Sequence, residues 1–169
     1  MRARLTVAFG VWALAFAGRP AIAELSPMEH LVRDLGTPKV GYTARNDAHT
    51  HSTFEFVRPH ETVKNWTKLF TVVATRVDVA RTQEETRATI QRLREALAHS
   101  HAEVSAYDVR EQTPPVAYFK YVIRGEINVG VVFSPLPSIV TVQQVAAHQA
   151  GVITAGDVRR IKALVGYPG

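Results

Sequence analysis

Glu61-Thr62-Val63-Lys64-Asn65-Trp66-Thr67-Lys68-Leu69-Phe70-Thr71-Val72-Val73-Ala74-Thr75-Arg76-Val77 is the longest β-prone run in the chain. From Trp66 onward Thr, Val, Leu, Phe and Trp fill most of its positions. Alternate residues fall into two apolar sets, Trp66, Phe70, Val72 and Ala74 on one side and Leu69, Val73 and Val77 on the other. A strand that is apolar on both sides is covered on both sides. The run therefore reads as a central strand over residues 61–77, with the other elements laid around it.

C-terminal to it, Thr82-Gln83-Glu84-Glu85 has the form of a capping box and opens a helix whose apolar face is Thr86, Ile90, Leu93 and Leu97. The chain turns extended at Glu103 to Val109. Val116 to Ile123 and Ile127 to Phe133 then flank Arg124-Gly125-Glu126 as a β-hairpin. Ser138 to Ala147 reads as a further strand, with a helix over Gln143 to Gln149 as the alternative. Thr154 to Asp157 caps a last helix with a Val158, Ile161, Leu164, Val165 stripe, ended by Gly166.

On the N-terminal side, Lys39 to Thr43 and Thr53 to Arg58 are extended and separated by Arg45-Asn46-Asp47, which is turn chemistry. Before them, Ser26-Pro27-Met28-Glu29 starts a short helix striped by Met28, Leu31, Val32 and Leu35 and stopped by Gly36. Strands joined mostly by tight turns make a largely antiparallel sheet, and the helices between them must cover it. The expected fold is α+β, an α/β/α sandwich in one domain over residues 24–169.

Residues 1–23 stand outside that domain. Arg2 and Arg4 precede an uncharged, mostly apolar run from Leu5 to Ala17, and Ala21-Ile22-Ala23 is a small-x-small cleavage pattern. This is the form of a secretory signal peptide, with Glu24 as the mature N-terminus and the periplasm or the cell exterior as the destination. A membrane anchor would need about 20 apolar residues. Removing Arg2, Arg4 and Arg19 leaves 17 Lys and Arg against 15 Asp and Glu, so the net charge falls from +5 to about +2. No Lys/Arg cluster suited to tracking phosphates is present, which argues against nucleic acid as a partner. The chain has no Cys, so disulfides and a lipid-modified Cys are excluded.

The order of elements, with Glu61, Thr62, Asn65, Trp66 and Thr67 as its motif and the helix over Thr82 to Ala98 in its place, resembles small exported proteobacterial proteins of uncharacterised function. Their fold is similar to the PsbP-like and DcrB-like α/β/α sandwiches. The resemblance covers about residues 37–165 and implies a fold, with no shared catalytic residues to carry over. Chains of this kind commonly have Gly before the Glu; here His60 stands there.

Chemistry is sparse. No G-x-S-x-G elbow, P-loop, Rossmann glycine fingerprint, H-E-x-x-H or EF-hand pattern occurs. The acid pair Glu84-Glu85 belongs to a helix N-terminus, where negative charge is favoured. Four of the seven histidines form two H-x-H pairs, His49 with His51 and His99 with His101. On an extended segment residues i and i+2 point the same way, so each pair can offer two imidazoles to one Zn or Cu ion. Solvated loop histidines explain the same pattern. Tyr118, Phe119, Tyr121 and Phe133 of the hairpin make either a binding groove or ordinary core. These features favour a non-enzymatic binding or accessory protein acting on an unknown envelope protein or small ligand. A Zn or Cu binding protein is the alternative, and an enzyme with a discontinuous site is the third.

Overall fold

The computed structural model describes residues 42–48, 51–62, 64–135, 138–147 and 151–167. The expected signal segment and the expected helix after Ser26 lie outside the described residues. The strands are β1 (Tyr42–Ala48), β2 (His51–Val57), β3 (Lys68–Arg76), β4 (Glu103–Arg110), β5 (Val116–Ile123), β6 (Glu126–Phe133) and β7 (Ser138–Ala147). Two α-helices join them, α1 (Thr82–His99) and α2 (Ala155–Ala163). The strands form one antiparallel sheet in the order β1-β2-β3-β7-β6-β5-β4. This is an α+β fold, an antiparallel sheet with two helices packed on it. Among the described residues no helix is long and apolar enough to cross a membrane.

The pleat sorts the core into two sides. Ile90, Leu93 and Leu97 of α1 pack on Ala117, Phe119, Tyr121, Val132 and Ile139. Ile161 of α2 packs with the opposite set, Phe70, Val72, Val129, Val131, Val140 and Val142. Each helix thus packs on one side of the sheet, called here the α1 face and the α2 face.

The opening stretch is shorter as a strand than its composition suggests. Only Lys68 to Arg76 is paired, between β2 and β7; the middle strand of the sheet is β7. Glu61 to Thr67 is a loop folded on itself. Thr62 and Asn65 bond each other through their backbones. Glu61 Oε1 accepts from Thr67 N at 3.2 Å and from Thr67 Oγ1 at 2.5 Å. The bend carries Trp66 to the α1 side, where it packs with Val57, Leu69 and Val145 rather than beside Phe70. Local side-chain-to-backbone bonds here outcompete strand propensity. Glu61, Thr62, Asn65 and Thr67 therefore build this loop and seat Trp66.

Burial raises the Glu61 pKa, but the hydrogen bonds from Thr67 and Arg58 and the charge of Arg58 outweigh it and leave the carboxyl below its ordinary 4.5.

Two further expectations shift. Arg45, Asn46 and Asp47 lie within β1, not in a turn, and the register slips between Asn46 and Ala48, an interruption typical of a bulge. At α1 the expected box from Thr82 is not formed, because a 3-10 turn, Val79–Arg81, runs directly into the helix. Asp78 caps that turn through Ala80 N instead, while Glu85 pairs with Arg81 at 2.7 Å. The expected Thr154–Asp157 box is complete.

Candidate functional site

The middle strand β7, rich in Val, Ile and Ala, carries Gln143 and Gln144 one after the other near its centre. Consecutive residues of a strand face opposite ways, so one amide enters each side of the sheet. Both are nearly fully buried, at 4% and 3% exposure. Two polar clusters form around them, back to back.

On the α2 face, Arg160 Nη2 donates to Gln144 Oε1 at 2.9 Å and lies 3.3 Å from Asp157 Oδ1. Asp157 Oδ2 takes the Lys68 ammonium at 2.5 Å and Thr154 N at 2.8 Å. Burial pushes the Asp157 pKa up, yet the bonds from Lys68 and Thr154 and the Lys68 charge hold it below the ordinary 3.8. Arg160 Nε is buried without a partner, but both carboxylate oxygens and the Gln144 oxygen are met. This cluster fastens α2 to β3 and β7.

The cluster on the α1 face is left incomplete. Gln143 Nε2 donates to Tyr121 Oη at 3.1 Å and also to Asn128 Oδ1. Asn128 Nδ2 donates to Glu126 O at 3.0 Å. Gln143 Oε1 is buried and accepts from nothing. Thr71 of β3, itself buried, stands directly opposite Gln143. An unmet buried acceptor costs about 1–3 kcal/mol. Burial lifts the Tyr121 phenol to about 12; the bond from Gln143 opposes this and the charge of Glu126 adds to it. A phenol at that value stays protonated near neutrality, and amides do not titrate. The cluster offers hydrogen bonds from neutral groups.

His49 lies outside the described residues, and His51 begins β2 opposite Thr75. His99 ends α1, with Nδ1 2.7 Å from Glu95 O, and the exposed His101 follows with φ +56°. Strands β3, β7, β6 and β5 separate β2 from β4. Five spacings of about 4.8 Å make roughly 24 Å across the sheet. The two segments also occupy opposite ends: Thr75 is near the finish of β3, whereas Glu103 is level with Val122 beside the Arg124-Gly125 turn. Imidazoles sharing an ion must each lie about 2.0–2.1 Å from it; the strand of His51 and the segment of His99 and His101 stand on opposite halves of the sheet. Among the described residues no group of three His, Asp or Glu is placed to hold a metal.

No family model matches the chain, and no curated protein does.

Sequence reasoning passed over Gln143 and Gln144. Their signal was two amides side by side inside a Val-rich strand, where a β-branched or apolar pair is the ordinary choice. Tyr118, Phe119 and Tyr121 of the hairpin are buried. Asn128 carried no sequence signal; only the pairing of β5, β6 and β7 brings it to Gln143.

Proposed function

We propose that the chain is an exported, non-enzymatic binding or accessory protein of the envelope, acting in the periplasm or outside the cell on a partner protein or small ligand. Its sandwich is of the PsbP-like and DcrB-like kind. The observation that supports the reading is the incomplete cluster of Tyr121, Asn128 and Gln143 on the α1 face. Three polar side chains from adjacent strands converge there, none of them titrates near neutrality, and one acceptor is unmet. Polar groups that a core does not need, held ready for a donor, suit recognition rather than turnover. The run from Arg2 to Ala23 supports export.

The test is thermal unfolding of the mature chain, residues 24–169, with low-molecular-weight fractions of envelope extract. Gln143→Leu, which keeps the volume and removes the amide, is measured beside it and referred to its own midpoint. A ligand at 100 times its Kd stabilises the chain it binds by about 2.7 kcal/mol. The expected result is a fraction that raises the midpoint of the parent and not that of the variant. Equal shifts in both chains, or none in the parent from any fraction, overturn the reading of this site.

A further inference from the structure

We draw no further inference here: the strongest candidate, the patch of Thr53, Glu55, Thr71 and Thr141 beside Gln143 on the α1 face of β2, β3 and β7, belongs to the site already described, and nothing in the structure shows what covers it.

Discussion

His60, His101 and Arg124 are the non-glycine residues of the described chain that adopt positive φ, at +68°, +56° and +50°. Each sits where a turn demands the left-handed region. Arg124 and Gly125 (φ +77°) are the two corners of a tight hairpin turn, and His101 follows the C-cap Ser100 of α1. His60 precedes Glu61, and its φ is one that Gly adopts without steric cost. A side chain in this region costs about 1–2 kcal/mol, partly returned because Gly also loosens the unfolded chain. His60→Gly and His101→Gly are each expected to raise stability by about 0.5–1 kcal/mol in denaturant unfolding. A loss in either variant would mean that the imidazole makes a stabilising contact.

Gly130 behaves oppositely, because its φ is ordinary and the space beside it is full. A Cβ there would enter the Phe119 ring and press on Val142 O. Gly130→Ala is expected to destabilise by about 1–3 kcal/mol, the range for overpacking. An unchanged unfolding midpoint would show that Phe119 can move aside.

At the scale of the element, α2 has only nine residues, a length that does not hold a helix by itself. Ile161 and its apolar neighbours bury one side, and Asp157 supplies the polar attachment, joining the Thr154 cap to Lys68 of β3. Because the folded chain holds the Asp157 pKa below 3.8, ionised Asp157 contributes its full stability above that value. The contribution fades as pH falls from 3.8 through the lower folded pKa. Asp157→Asn lacks it at every pH. The parent is therefore expected to be more stable than the variant near neutrality, with the gap closing below pH 3.8. Urea titrations of both chains across that range measure the gap, and a gap independent of pH would remove Asp157 from the acid response.

At the scale of the whole molecule, sheet order decides whether the histidines make one site. His51 begins β2, whereas His99 ends α1 and His101 leads into β4, on opposite halves and at opposite ends of the sheet. Zn or Cu(II) bound at one pair would have only two protein ligands, a set that leaves most of the coordination shell to water. Calorimetric titration of the mature chain is expected to show weak binding at most, with His49→Ala/His51→Ala leaving any binding at His99 and His101 unchanged. Loss of a tight site in that double variant would overturn the separation.

Much of the architecture was legible because it rests on short-range physics. Periodicity placed α1 and the β5–β6 hairpin, the Thr154–Asp157 box placed α2, and the Val-rich run placed β3. Other features belonged to tertiary structure. The start of β3 depended on Glu61 capturing Thr67, a bond between residues that alternation alone assigns to one strand. The cap of α1 moved to Asp78 because the preceding turn wound directly into the helix. The candidate site was the least legible of all, since Tyr121, Asn128 and Gln143 are spread over 22 residues and meet only across three strands. Hydrophobic pattern states which side of a strand is buried; which strands become neighbours is fixed by the pairing of the entire sheet.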